Sequence, residues 1–72
     1  MAHHVVSDLV ANVIGIHVHV GDSVEVGDEI ALLESMKMEI PVLTEIAGIV
    51  TDVKVELGDV VQEGDILAIV TD

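Results

Sequence analysis

Two stretches of the sequence alternate strictly between apolar and polar residues. They read IHVHV at residues 16–20 and VKVEL at residues 53–57. A period of two predicts a strand with one buried face, so the apolar side chains of both stretches are expected to face inward. The polar residues expected to face solvent are His17, His19, Lys54 and Glu56.

The segment that follows each alternating run has the pattern GDxVxxGD. It occupies residues 21–28 and again residues 58–65. Glycine adopts φ values that other residues avoid, and an aspartate side chain accepts hydrogen bonds from nearby backbone, so each Gly-Asp pair predicts a turn. Short apolar runs then follow, IALL at 30–33 and LAIV at 67–70, and both are consistent with fully buried strands.

The chain contains an internal repeat with an offset of 37 residues. The identities in register are Gly21, Asp22, Val24, Gly27, Asp28 and Ala31, which recur as Gly58, Asp59, Val61, Gly64, Asp65 and Ala68. β-branched residues dominate, and no amphipathic stretch of helical period and useful length occurs. We therefore predict one all-β domain over residues 1–72, with half-units at about 9–35 and 46–72. The expected architecture is two similar four-stranded units, related by an approximate two-fold axis and packed as a small sandwich or flattened barrel.

The junction between the two halves is predicted to be a tight hairpin. The apolar strands on either side of it must reverse direction if both are to stay in the core, and a two-residue loop at Met36-Lys37 achieves this. The expected cross-strand pairs are Leu33 with Ile40 and Glu34 with Glu39. The loop lacks the Gly, Asn or Pro that such loops prefer, and facing glutamates repel each other. A locally unfavourable turn indicates that function selected these residues.

The charge of the chain excludes several classes of partner. Its formal net charge is −12, from 14 acidic residues against two lysines. Nucleic acids and anionic membrane surfaces require clustered Lys and Arg, so neither is expected as a partner. Because 51% of the residues are hydrophobic, the acidic residues are expected to solvate a folded monomer rather than cause disorder. No secretory signal or membrane-spanning run is evident, so we expect a cytoplasmic location.

The tripeptide Met36-Lys37-Met38, set between two GDxVxxGD segments, resembles the biotinyl domain family over nearly the whole chain. The family implies an all-β fold, a flattened β-barrel or sandwich of two four-stranded antiparallel sheets with pseudo-two-fold symmetry. It also implies a lysine on an exposed hairpin, which a biotin protein ligase joins to biotin through an amide. The resemblance implies that Lys37 carries covalent biotin and that the ligase recognises Met36, Met38 and Glu34. Ser35 stands where alanine is most usual in the family, and this change conserves a small side chain.

The resemblance also implies a carrier and not an enzyme. Biotin on Lys37 would ferry carboxylate between a biotin carboxylase and a carboxyltransferase, and we expect a free-standing protein that meets these subunits in trans. A solvated lysine is almost fully protonated at neutral pH, and the surrounding acids favour that form. The ligase must therefore supply a base or a desolvated pocket, which makes Lys37 a substrate residue.

The sequence also permits functions other than biotin attachment. Lipoyl domains share the fold, so lipoate on Lys37 is an alternative, although lipoyl sites usually carry Asp before the lysine and a small residue after it. An unmodified β-sandwich interaction module is a third hypothesis. His17 and His19 share one face and could bind a transition metal, but their repeat counterparts are not a ligand pair, so no metal is expected. His3 and His4, near the N-terminus, are expected to be disordered.

Overall fold

The computed structural model describes all 72 residues and contains eight strands. They are β1 (Ala2–Val6), β2 (Ala11–Ile16), β3 (Ser23–Val24), β4 (Glu29–Ser35), β5 (Met38–Leu43), β6 (Gly48–Val53), β7 (Val60–Val61) and β8 (Ile66–Thr71). One sheet has the order β1-β8-β6-β3 and the other β5-β4-β2-β7, with antiparallel pairing throughout. The predicted all-β fold of two four-stranded sheets is confirmed. No helix long and apolar enough to span a bilayer is found.

Each half of the chain contributes two strands to each sheet. Exchanging β1–β4 with β5–β8 converts one sheet order into the other, which is the predicted pseudo-two-fold relation. The offset of 37 also relates two buried hydroxyls, those of Ser7 and Thr44. Ser7 Oγ donates to the backbone oxygen of Leu9 at 2.6 Å, and Thr44 Oγ1 donates to that of Ile46 at 2.7 Å. The structural repeat thus includes β1 and β5, where the two halves share little sequence.

The four Gly-Asp pairs form turns, as predicted. Each glycine has φ between 89° and 98°, in the left-handed region that favours glycine. Each aspartate carboxylate accepts a hydrogen bond of 2.8 or 2.9 Å from the backbone N–H three residues earlier. The donor–acceptor pairs are His19 with Asp22, Glu25 with Asp28, Glu56 with Asp59, and Gln62 with Asp65.

The alternating runs are not strands for most of their length, so this part of the prediction is wrong. β2 ends at Ile16 and β6 ends at Val53, because the residues that follow carry the chain from one sheet to the other. Val18 is buried, as the alternation predicts. Val20 and Leu57 are 63% and 65% exposed, because each immediately precedes a turn glycine at the surface.

The terminal segment is also ordered, contrary to expectation. His3 and His4 lie in β1, where they pair with Val70 and Ile69 of β8. This pairing joins residues almost a whole chain length apart, and it is the counterpart of the β4–β5 pairing under the pseudo-two-fold relation.

The interior consists of two apolar clusters. The larger one contains Val5, Val18, Val24, Ile30, Ala31, Val50, Ala68 and Val70. The smaller one, called the hairpin cluster below, contains Ala11, Val13, Leu33, Val61 and Leu67. The runs IALL and LAIV lie in strands, as predicted, and supply buried residues to both clusters, but Leu32 and Ile69 are only partly buried. Full burial of each such aliphatic side chain contributes about 1.5–3 kcal/mol.

Candidate functional site

β4 and β5 form the hairpin that carries Lys37. The register pairs next to the loop are Leu33 with Ile40, Glu34 with Glu39, and Ser35 with Met38. This register leaves Met36 and Lys37 as a two-residue loop, as predicted. Because the side-chain period of a strand is two, this pairing also fixes which residues of both strands face the core.

The backbone of the loop is unusual. Met36 has φ of 53° and Lys37 has φ of 65°, and they are the non-glycine residues with positive φ in the chain. Two consecutive residues in the left-handed region give a two-residue hairpin turn whose twist matches that of the flanking strands. The left-handed conformation costs roughly 1–2 kcal/mol for an ordinary L-residue. The paired strands therefore hold the loop in a conformation that its own sequence disfavours.

The side chains of the loop point into solvent. Met36 is 91% exposed and Met38 is 64% exposed. Lys37 is also exposed, and it takes part in none of the ion pairs of the protein. Its amine is therefore accessible to a modifying enzyme, and an acyl group on its nitrogen would displace no contact of the folded chain.

Lys54 has a different environment. Its Nζ lies 2.8 Å from Asp52 Oδ2, and its side chain is 48% exposed. This hydrogen bond from the Lys54 ammonium lowers the pKa of the Asp52 carboxyl from its ordinary value of 3.8. The two lysines of the chain are thus distinguishable by geometry, since one is tied to a carboxylate and the other extends freely from a hairpin.

The hairpin has a rigid base. Leu33 is 0% exposed within the hairpin cluster, and Ile40 packs against the same cluster from β5. Beside them, Glu34 is partly buried and Glu39 is exposed. Like charges in directly opposed positions are destabilising in a sheet. The site therefore combines a well-packed base with a strained and acidic tip.

The histidines singled out from the sequence lie next to carboxylates at a distance from the hairpin. His17 Nε2 lies 2.7 Å from Glu29 Oε2, and His19 Nδ1 lies 3.7 Å from Asp22 Oδ2. The structure does not bring three potential metal ligands together there or elsewhere. The sequence did not reveal the His17–Glu29 pair, because it joins the segment after β2 to the start of β4.

Known proteins resemble this chain over most of its length. The profile of a family described as "Biotin-requiring enzyme" matches residues 4–70. The chain is 51% identical over 71 residues to a Mycobacterium leprae protein named "Biotinylated protein TB7.3 homolog", and the match covers 99% of this chain and 100% of that protein.

Two solved structures extend the comparison. The Kluyveromyces lactis urea carboxylase superposes with a TM-score of 0.92 and 31% identity, covering 99% of this chain but 6% of that chain. The lipoyl domain of the 2-oxoglutarate dehydrogenase complex from Azotobacter vinelandii superposes with a TM-score of 0.74 and 27% identity, covering 88% of this chain and 80% of that chain. The chain thus corresponds to a small part of a large carboxylase and to most of an isolated lipoyl domain.

Proposed function

The chain belongs to the biotin/lipoyl attachment family, and we propose that it is a biotin carrier whose Lys37 is biotinylated by a biotin protein ligase. Attachment domains of this family are carriers and not catalysts. The observation that supports the proposal best is the exposed, unpaired Lys37 on a hairpin loop that strand pairing holds in place. Biotin is favoured over lipoate because methionines flank the lysine on both sides and because a relative at 51% identity is named as biotinylated.

The residues around Lys37 suit recognition by a ligase. Met36 and Met38 offer flexible apolar side chains that are free to be buried against another protein. Glu34 precedes the loop and offers a carboxylate to a cationic group of the ligase, a type of hydrogen bond that is stronger than a neutral one. The ligase must also accept a proton from the Lys37 ammonium, because the Lys37 amine forms no ion pair within this chain.

We infer that a biotin carboxylase and a carboxyltransferase act on the modified chain. Bound biotin would supply a ureido nitrogen that accepts carboxylate and releases it to an acceptor. The matched region is 6% of the K. lactis urea carboxylase, so in that protein the domain is part of a larger enzyme. In the present chain, the packed base of the hairpin fixes where the Lys37 side chain starts, and the exposed loop lets it extend toward each enzyme.

Co-expression with a biotin protein ligase tests the proposal. Intact mass measurement is expected to show one biotinyl group, which Lys37→Arg removes and the matched control Lys54→Arg retains. Both substitutions keep the positive charge, so a difference reports position and not electrostatics. A lipoyl mass increment on Lys37 would instead support the lipoyl carrier. A chain that stays unmodified after co-expression with a biotin protein ligase and, separately, with a lipoate ligase would leave the interaction module as the better interpretation.

A further inference from the structure

A groove lies between β1 and β5, which are edge strands of the two sheets. Its volume is about 350 Å³, which lies within the range of small-molecule binding sites. Apolar residues including Leu9, Ile40 and Val42 line it, together with polar residues, which are His3, His4, Asp8 and Glu45. The apolar residues of the lining outnumber the polar ones, as they do in sites for small organic ligands.

One end of the groove is close to the hairpin. Leu9 and Ile40 both pack against the hairpin cluster, and Ile40 is three residues from the acceptor lysine along the chain. Asp8 adjoins Leu9 at this end. Glu45 is the counterpart of Asp8 at the offset of 37. Its neighbour Ile46 packs against the larger core cluster and not against the hairpin cluster. The groove therefore presents one carboxylate near the hairpin and an equivalent one farther away.

Two other occupants of a groove between edge strands are disfavoured here. A β-strand added to the β5 edge would lack a backbone donor at Pro41, which lies within this strand and has no N–H. A second copy of the chain would bring another net charge of −12 to the same surface. These arguments favour a small uncharged group, and the nearest place where such a group is attached is Lys37.

A biotinylated Lys37 side chain is long enough to reach the groove. At about 3.3 Å per residue, Ile40 lies at most about 10 Å from Lys37 and Pro41 about 13 Å. A lysine side chain extended by the acyl chain of biotin spans about 11 bonds, or roughly 14 Å, before the ring system begins. The ring system can therefore enter the end of the groove next to the hairpin, but it does not extend to the end at Glu45.

We propose that the biotinyl group on Lys37 docks into the hairpin-proximal end of this groove when no partner enzyme holds it, an inference that rests on the proposed function. The thioether and hydrocarbon parts contact Leu9, Ile40 and Val42, and a ureido N–H donates to the Asp8 carboxylate. Because a short tether gives an effective concentration in the millimolar range, a weak intrinsic affinity is sufficient. Each partner enzyme then withdraws the group from the groove.

The test uses the 72-residue chain made by chemical synthesis with Nε-biotinyl-lysine at position 37. The matched control carries Nε-acetyl-lysine there, which loses the same charge but has no ring. Nuclear Overhauser contacts are expected between the ring protons and the methyl groups of Leu9, Ile40 and Val42. The chemical-shift changes of these residues should be at least about twofold larger in the biotinyl form than in the acetyl form.

Two variants of the synthetic chain identify the polar contact. Asp8→Asn is expected to reduce the chemical-shift changes in the groove, whereas Glu45→Gln should leave them unchanged. The proposal is overturned if the ring contacts only Met36 and Met38, or if the biotinyl and acetyl forms show the same shifts. Equal effects of the two variants would overturn the role of Asp8. Failure of a ligase to modify Lys37 would reject the proposed function alone, because the synthetic chain carries its biotin without a ligase.

Discussion

Replacing Met36 by asparagine is expected to stabilise the protein, because Met36 holds φ of 53° in a region that asparagine tolerates better than methionine. The left-handed conformation costs an ordinary residue roughly 1–2 kcal/mol, and asparagine recovers part of this cost. The Met36 side chain is 91% exposed, so its removal sacrifices no buried contact. A net gain of about 1 kcal/mol would raise the Tm by about 4–8 °C in a domain of this size.

Differential scanning calorimetry measures the change in Tm. Biotinylation kinetics measure a second effect of Met36→Asn, which is a slower reaction with the ligase. If the ligase buries the Met36 side chain, asparagine removes an apolar contact of about 1.5 kcal/mol. This loss corresponds to a decrease of roughly tenfold in kcat/KM for the ligase reaction. Met36→Asn should therefore give a more stable protein that is a poorer ligase substrate.

Met38→Asn is the matched control for the stability effect. Met38 is also exposed, but it is the first residue of β5 and does not have a positive φ. Asparagine is a weaker strand former than most residues, so this variant should be neutral or slightly destabilised. An unchanged or lowered Tm for Met36→Asn, or equal shifts for the two variants, would refute the argument from backbone strain.

Further substitutions test the turns, the sheet contacts and the ion pair. Gly48→Ala should destabilise the protein by about 2 kcal/mol in urea denaturation, because its new Cβ would overlap the backbone oxygen of Thr71. Asp28→Ala should cost about 1 kcal/mol in the same assay, because it removes the carboxylate acceptor of its turn. The Lys54 ammonium lowers the pKa of Asp52, so the stability from this pair is present above the ordinary carboxyl pKa and is lost as the pH falls through the folded-state pKa. Unfolding measured between about pH 5 and pH 2 should therefore show a smaller loss of stability in Asp52→Asn than in the parent chain.

The features that could be predicted from the sequence depend on local chemistry. The Gly-Asp turns follow from the φ range of glycine and from the reach of an aspartate side chain to a nearby N–H. The hairpin register follows from the requirement that Leu33 and Ile40 both reach the core across a loop of two residues. Each of these features is determined within a few residues, so a single sequence contains the necessary information.

The features that could not be predicted depend on long-range pairing. Nothing in the sequence around His3 and His4 indicates that they pair with β8 near the other end of the chain. Alternation at residues 16–20 indicates that every second side chain faces the core. A segment that crosses from one sheet to the other can show the same alternation, so the pattern does not distinguish it from a strand. The groove between β1 and β5 could not be predicted either, because it exists only after both edge strands have been placed.

The pseudo-two-fold relation separates residues that maintain the fold from residues that serve Lys37, the proposed attachment site. The Gly-Asp turns recur at the offset of 37 with the same hydrogen bonds, so folding alone explains them. Glu34 and Glu39 face each other across β4 and β5. The equivalent pair in the other sheet is Thr71 and Ala2, and neither of these residues is acidic. The same backbone pairing therefore forms without two facing carboxylates, whose repulsion opposes it. We attribute the two glutamates beside Lys37 to recognition by another protein, since the fold is built without their counterparts.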